Sequence, residues 1–170
     1  WKKLEEKVVY SNFRTILARN FEMPDGRQEI FEVNNEPDPA YVLPFTVDKK
    51  VLLVKEFSPG LEQVTINLVA GFINKGETPL EAAKRELQEE TGYSGNFKNL
   101  GSIPLGKYST RRLYCFAAED CRIVDDQKLD QNEFIEIIKT SLPELLKLLK
   151  SGECRDHAPA YFMLHNLNLL

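Results

Sequence analysis

The segment from Gly71 to Tyr93 constrains the fold more than any other part of this chain. It reads GFINKGETPLEAAKRELQEETGY. Thr78-Pro79-Leu80-Glu81 has the form of a capping box with proline at the first helical position, and Gly92 is a typical helix stop. These signals predict a helix from Pro79 to Thr91. Apolar residues recur along it at intervals of three and four, which predicts a buried stripe of Leu80, Ala83 and Leu87.

Three glutamates, Glu86, Glu89 and Glu90, crowd one face of this helix. At about 100° per residue, Glu86 and Glu90 lie about 40° apart, and Glu89 lies about 60° to the other side of Glu86. Like charges at positions i and i+4 destabilise a helix by roughly 0.2 to 0.5 kcal/mol per pair. A cation should therefore occupy this face, and oxygen ligands without histidine or thiolate favour Mg²⁺ or Mn²⁺, which usually bridge carboxylates to phosphates. The alternative is a solvated acidic face paired with Lys84 and Arg85.

The spacing of the whole segment resembles the Nudix box, Gly-x5-Glu-x7-Arg-Glu-U-x-Glu-Glu-x-Gly-U, where U is a bulky apolar residue. At roughly 6 to 7% usage per residue type, the seven fixed positions coincide by chance about once in a hundred million start points. The chain is therefore identified as a member of the Nudix hydrolase family, with Tyr93 as a mild departure at the last position. The fixed positions are Gly71, Glu77, Arg85, Glu86, Glu89, Glu90 and Gly92.

This resemblance implies a metal site on a loop-helix-loop element. Glu86, Glu89 and Glu90 would bind Mg²⁺, for which Mn²⁺ could substitute, and the carbonyl of Ala70 would be a further ligand. The remaining box positions would be structural, with Glu77 and Arg85 joining loop to helix. Glu89 is also a candidate general base, because members of the family differ in which carboxylate takes the proton.

A late acidic loop supplies the first candidate for the general base. Asp130-Gln131-Asn132-Glu133 precedes a predicted strand from Phe134 to Lys139, and Glu133 corresponds to a loop glutamate of the family. A carboxylate there could take the proton of the attacking water. Asp130 and Glu136 are the alternatives, and the other interpretation of Glu133 is an ordinary surface acid.

Outside the box, the chain resembles the ADP-ribose pyrophosphatase branch of the family. The expected fold is a mixed α/β fold of the α+β type, an α/β/α sandwich around a mixed sheet with an additional N-terminal antiparallel strand region. We expect residues 1–46 to form that region and residues 47–170 to form the hydrolase core. The resemblance also implies a homodimer in which the N-terminal strands cross to the neighbouring active site.

Several positions depart from this branch in the region that would contact substrate. Ser58 stands where an arginine is frequent, and Asn67 replaces a glutamate four residues before Gly71. ADP-ribose itself is therefore in doubt as the substrate. Tyr108 and Arg112, in the loop between box and acidic segment, could stack on or pair with a substrate. For Arg111 an exposed position is the stronger expectation.

Further strands and helices are predicted from the spacing of apolar residues and from turn-forming residues between the segments. The predicted strands are Val8–Phe13, Thr15–Phe21, Gln28–Val33, Ala40–Val47, Val51–Phe57, Phe97–Pro104 and Arg112–Ala118. A second helix is predicted from Glu144 to Lys150 after a capping box at Ser141, and a terminal helix from His157 to about Leu167.

Composition limits the remaining classes of function. The net charge of −4 argues against a broad nucleic-acid surface but not against a small phosphorylated ligand. The three cysteines, Cys115, Cys121 and Cys154, lack metal or redox spacing and are expected to be buried and inert. No apolar run is long enough to span a membrane and no signal peptide is recognised, so a cytoplasmic protein is expected.

Three functions are compatible with these features. The first is hydrolysis of the diphosphate bridge of a nucleoside diphosphate sugar, ADP-ribose or another, to a nucleoside monophosphate and a sugar phosphate. The second is hydrolysis of a dinucleoside polyphosphate or another nucleotide. The third is a nucleotide-binding module without catalysis, which would have no physical need for the crowded glutamates.

Overall fold

Ten strands and three helices make up the fold in a computed structural model that describes all residues from 1 to 170. The helices are α1 (Pro79–Thr91), α2 (Leu142–Ser151) and α3 (His157–Asn166). The strands are β1 (Lys2–Ser11), β2 (Thr15–Glu22), β3 (Gln28–Asn34), β4 (Pro39–Thr46), β5 (Val51–Ser58), β6 (Gln63–Asn67), β7 (Val69–Phe72), β8 (Tyr93–Pro104), β9 (Arg112–Ile123) and β10 (Glu136–Thr140).

The first three strands form a separate antiparallel sheet in the order β1-β2-β3. Every residue of β1 is exposed, so this edge strand buries neither face. The sequence predicted the strand at Val8–Phe13, which was wrong by several residues. The segment that precedes Val8 is charged and lacks an apolar period, yet it pairs with β2 because backbone hydrogen bonds do not require burial.

The other seven strands form a mixed sheet in the order β10-β5-β4-β9-β8, with β6 beside β5 and β7 beside β4. The pair β4 and β9 is parallel, and the other pairs are antiparallel. A domain boundary at residue 46 would assign β4 to the N-terminal region, but β4 lies in the centre of this sheet. The chain passes from one sheet to the other between Asn34 and Pro39.

Helices cover both faces of the seven-stranded sheet, which confirms the α/β/α sandwich. On one face, Ala82, Ala83 and Leu87 of α1 pack into a core with residues of β4 and β9. On the other face, α2 and α3 contribute Leu145, Leu149, Ala160, Met163 and Leu164 to a second core. Leu80 was wrongly predicted to be buried, since it lies in the first turn of α1 and is 38% exposed.

Two short strands near the box, β6 and β7, were not predicted. They contain only five and four residues and show no clear alternation. The predicted strand from Phe134 was also wrong at its start, because the loop continues to Ile135 and Phe134 is exposed. The three cysteines are buried and unpaired, as predicted. None of the three helices is long and apolar enough to cross a membrane.

Candidate active site

A cleft of about 350 Å³ opens where β7, α1 and the acidic loop meet. It gathers six carboxylates but only two cationic side chains, Arg85 and Lys128. The carboxylates are Glu56, Glu86, Glu89, Glu90, Asp130 and Glu133. The cleft is therefore strongly acidic at neutral pH.

Helix α1 carries three of these carboxylates and is fixed at both ends by local hydrogen bonds. The predicted capping box is present, because the Glu81 N–H donates to Thr78 Oγ1 (3.3 Å) and the Thr78 N–H donates to Glu81 Oε2 (2.8 Å). At the other end Gly92 adopts φ 73°, a left-handed conformation that favours glycine, and its N–H donates to the Gln88 carbonyl (2.8 Å). The predicted bounds of α1 are confirmed.

The Arg85 guanidinium joins the helix to the loop before it. Its Nε donates to Glu77 Oε1 (2.9 Å) and its Nη2 donates to the Phe72 carbonyl (2.9 Å). Its Nη1 donates to Glu86 Oε1 (2.7 Å) and Glu89 Oε2 (2.9 Å). The hydrogen bonds that Arg85 donates to Glu77 in particular raise the pKa of Arg85, so that it stays charged. Arg85 thus ties β7 to α1 and partly neutralises two of the glutamates.

Gly71 and Glu86 lie in direct contact. A Cβ atom added at position 71 would overlap the Glu86 carboxylate, so any other residue would force this carboxylate to move. Burial raises the pKa of Glu86, and the hydrogen bond and charge of Arg85 oppose this shift. The box glycine is therefore explained by a close approach of backbone to carboxylate.

Glu90 is the most buried carboxylate of the cleft, with 7% exposure. Its buried Oε2 atom has no hydrogen-bond partner. Burial raises the pKa of Glu90 well above its ordinary value, and the charges of Glu86 and Glu56 add to this effect. A buried carboxylate oxygen without a partner is costly unless a ligand satisfies it.

The donor set suits a hard divalent cation, since it consists of oxygen atoms and includes the unpartnered oxygen of Glu90. As the side chains stand, no three acidic, histidine or cysteine residues converge closely enough to hold a metal ion. The contacts of Arg85 explain this arrangement, because they hold Glu86 and Glu89.

The acidic loop brings Glu133 into the cleft together with Asp130. The Asp130 N–H donates to Glu133 Oε2 (3.0 Å), so this carboxylate is turned towards its own loop. Glu136, the other alternative base, lies on β10 beside Lys55 Nζ (3.5 Å) and does not line the cleft. The structure thus brings two of the three loop acids to the box glutamates.

The three predicted substrate-binding residues lie outside the cleft of this chain. Ser58 is buried at the end of β5, and Tyr108 stacks on Phe31 of the N-terminal sheet with ring centroids 6.4 Å apart. Arg112 donates from Nε to Ser102 Oγ (3.0 Å) and from Nη2 to the Ser102 carbonyl (3.2 Å). Its guanidinium therefore holds β8 rather than facing a ligand in this cleft.

Arg111 was expected to be the more exposed arginine, which was wrong. Its side chain is 14% exposed, and Nη2 lies 2.9 Å from a carboxylate oxygen of Glu36. Its guanidinium lies 5.9 Å from the ring centre of Phe72, a residue of the cleft. The buried side chain of Glu36 also pairs with Arg14, which links the N-terminal sheet to the neighbourhood of the cleft.

Two charged residues of the cleft, Glu56 and Lys128, were not predicted. Glu56 follows the buried part of β5, and an acid soon after the apolar run Val51–Val54 was the available signal. Lys128 had no distinguishing signal in the sequence. Its N–H donates to the Glu89 carbonyl (2.9 Å), and its ammonium pairs with Asp125.

Comparisons with known proteins agree with this geometry. A profile of the NUDIX domain matches residues 36–161. The chain is similar to an ADP-ribose pyrophosphatase of Bacillus subtilis (strain 168), with 32% identity over 94% of this chain and 91% of that protein. It is also similar to the ADP compounds hydrolase NudE of Escherichia coli (strain K12), with 27% identity over 89% of this chain and 82% of that one.

A solved structure described as that of an ADP compounds hydrolase has the same fold. It superimposes with a TM-score of 0.83 at 22% sequence identity, covering 100% of this chain and 98% of the other. The domain match spans most of the chain and contains every box residue described above. The chain therefore belongs to the Nudix hydrolase family, whose members use divalent metal ions.

Proposed function

We propose that this protein is a Mg²⁺-dependent pyrophosphohydrolase that cleaves the diphosphate bridge of a nucleoside diphosphate sugar, yielding a nucleoside monophosphate and a sugar phosphate. The observation that carries the proposal is the unpartnered buried oxygen of Glu90, in a cleft lined by six carboxylates and only two cationic side chains. Because the cleft and a diphosphate substrate are both negatively charged, the substrate can enter only together with metal cations that neutralise the two charges.

Different residues of the chain bind the cations and maintain the local structure. Glu86, Glu89 and Glu90, with the Ala70 carbonyl, hold the divalent cations, for which Mn²⁺ can substitute. Arg85, Glu77 and Gly71 keep β7 against α1, while Gly92 ends the helix. When bound, the cations neutralise the phosphoryl oxygens and acidify the attacking water.

Glu133 accepts the proton of that water, with Glu89 as the alternative base. Glu133 lines the cleft, and the contact from the Asp130 N–H occupies one of its two carboxylate oxygens. The other oxygen accepts no hydrogen bond within the chain and can receive a proton.

The substrate class rests on the relatives. One bears the name ADP-ribose pyrophosphatase and another the name ADP compounds hydrolase, and both share most of their length with this chain. ADP-ribose or another ADP compound is therefore the first substrate to test. A dinucleoside polyphosphate is the second candidate because, like a nucleoside diphosphate sugar, it contains a phosphoanhydride bridge.

A substrate panel tests the proposal. The purified chain is incubated with ADP-ribose, ADP-glucose, GDP-mannose, UDP-glucose, NADH and a dinucleoside polyphosphate, each with Mg²⁺ and with excess chelator. We expect release of a nucleoside monophosphate from at least one nucleoside diphosphate compound in Mg²⁺ alone. Full activity in chelator, or no hydrolysis of any compound, would reject the proposal.

The proposal includes a homodimer assembled through the N-terminal sheet. The exposed strand β1 has an unpaired edge and carries the exposed side chains of Val8, Val9 and Tyr10. An exposed strand edge beside apolar side chains is a common site of association. The partner would be a second copy of this chain.

A further inference from the structure

Glu56 lines the cleft from strand β5 and belongs to no part of the box. It stands near the end of β5, where the strand passes from the buried core to the surface. Its side chain is 33% exposed and lines the cleft together with Glu86, Glu90 and Glu133. A carboxylate at this position adds negative charge to a cleft that is already acidic.

Two neighbours hold the Glu56 carboxylate by the same oxygen. Asn67 Nδ2 donates to Glu56 Oε1 (2.8 Å), and Asn67 is itself 1% exposed. Arg155 Nη2 lies 3.5 Å from Oε1. Oε2 accepts no hydrogen bond within the chain, so Glu56 is oriented through one oxygen and leaves the other available.

The supports of Glu56 are fixed to the strand that leads into the box. The Arg155 N–H donates to the Ile66 carbonyl (2.9 Å), and the Leu68 N–H donates to Asp156 Oδ2 (3.0 Å). Asn67 lies between these two anchored residues. The position of Glu56 is therefore tied to the backbone just before Ala70.

The cationic side chains around Glu56 do not neutralise its negative charge. Arg155 is 42% exposed and 3.5 Å away, a geometry in which an ion pair contributes little. Arg85 is engaged by Glu77, Glu86 and Glu89, and the Lys128 ammonium is engaged by Asp125. Glu90, which faces the same cleft, has a buried oxygen without any partner. Glu56 on β5 and Glu90 on α1 thus each have an oxygen atom available for the same cation.

We propose that Glu56 is a further carboxylate ligand of the divalent cations, binding from the β5 side of the cleft while the box glutamates bind from α1. This inference rests on the proposed function, since it concerns the cations of the same site. Asn67 and Arg155 act as positioning residues, because they orient the carboxylate without contacting substrate.

The test measures Mn²⁺ binding without substrate, by the electron paramagnetic resonance signal of free Mn²⁺ during titration. Wild type, Glu56→Gln and the control Glu119→Gln are compared. Glu119 is an exposed acid of β9 outside the cleft, so its change removes the same charge elsewhere. We expect Glu56→Gln to weaken Mn²⁺ binding about tenfold or more, or to abolish one bound ion, while Glu119→Gln matches wild type.

The outcomes separate this inference from the proposed function. If wild type binds no Mn²⁺ and hydrolyses no nucleotide, the proposed function fails. If wild type binds Mn²⁺ and hydrolyses substrate but Glu56→Gln retains wild-type stoichiometry and affinity, only the role of Glu56 is overturned. Glutamine keeps an acceptor for Asn67, so the variant should fold. Glu56→Ala is a second variant, and unchanged Mn²⁺ binding by either folded protein rejects the inference.

Discussion

The backbone of Gly71 lies so close to the carboxylate of Glu86 that a Cβ atom at position 71 would overlap it. We expect Gly71→Ala to displace Glu86 from its place beside Arg85, because the added methyl group would overlap the carboxylate. Turnover and Mg²⁺ binding should both fall roughly tenfold or more. Isothermal titration with Mg²⁺ and a hydrolysis assay measure these effects.

Gly60→Ala is the matched control for this change. A Cβ at position 60 meets no atom within 4 Å and the residue has no positive φ. Gly60→Ala should therefore bind Mg²⁺ and turn over substrate as wild type does. Equal behaviour of the two alanine variants would contradict the explanation given for Gly71.

Loss of a box carboxylate should remove most activity without unfolding the chain. We expect Glu86→Gln and Glu90→Gln each to lower turnover by roughly a hundredfold or more, because each removes a cation ligand. Circular dichroism should show an intact fold. Addition of Mg²⁺ should raise the melting temperature of wild type but have less effect on either variant. A melting temperature that rises equally in all three proteins would count against the assignment of these ligands.

The stability of the metal-free protein should depend on pH through Glu90. Burial raises the folded-state pKa of this carboxyl above its ordinary 4.5, so the folded state binds the proton more tightly than the unfolded state. This contribution to stability is fully present below the unfolded pKa and is lost as pH rises through the folded pKa. In chelator, the melting temperature of wild type relative to Glu90→Gln should therefore fall as pH rises above 4.5.

Bound Mg²⁺ should reverse this trend, because the cation stabilises the ionised carboxylate. The increase in melting temperature caused by Mg²⁺ should thus grow with pH in wild type and change less in Glu90→Gln. Melting curves at a series of pH values, with Mg²⁺ and with chelator, test both statements. A Mg²⁺ effect that is independent of pH in wild type would contradict them.

Glu133→Gln should cut turnover sharply while leaving Mg²⁺ affinity and KM close to wild type, because the removed group acts on the attacking water. Excess Mg²⁺ should not restore activity. Glu136→Gln is the control, since Glu136 faces Lys55 outside the cleft. Near wild-type turnover of Glu133→Gln would move the role of base to Asp130 or Glu89.

Removal of the N-terminal strands should cost both assembly and activity. Deletion of residues 1–21 removes β1, the exposed edge strand, and most of β2, the central strand of the three-stranded sheet. Sedimentation velocity at micromolar concentration should show a dimer for the full chain and a monomer for the deletion. A monomeric full chain with full activity would reject the proposed assembly.

The helix of the site could be predicted from sequence because its determinants are local. Thr78, Glu81 and Gly92 act through hydrogen bonds and backbone angles within a few residues, so the bounds of α1 were correct. The spacing from Gly71 to Gly92 likewise lies within one continuous segment. It identified the family and the crowded glutamates without knowledge of any distant contact.

Contacts between distant segments were decided by the tertiary structure alone. Glu56 joins the cleft because β5 runs beside β6, and Lys128 joins it because the late loop binds the end of α1. Arg111 is largely buried and Arg112 exposed because the first meets Glu36 and the second meets Ser102. Such pairings depend on which strands pack together, and local periodicity does not encode them. The sequence by itself therefore determined the helix and its chemistry, while tertiary packing determined which residues surround it.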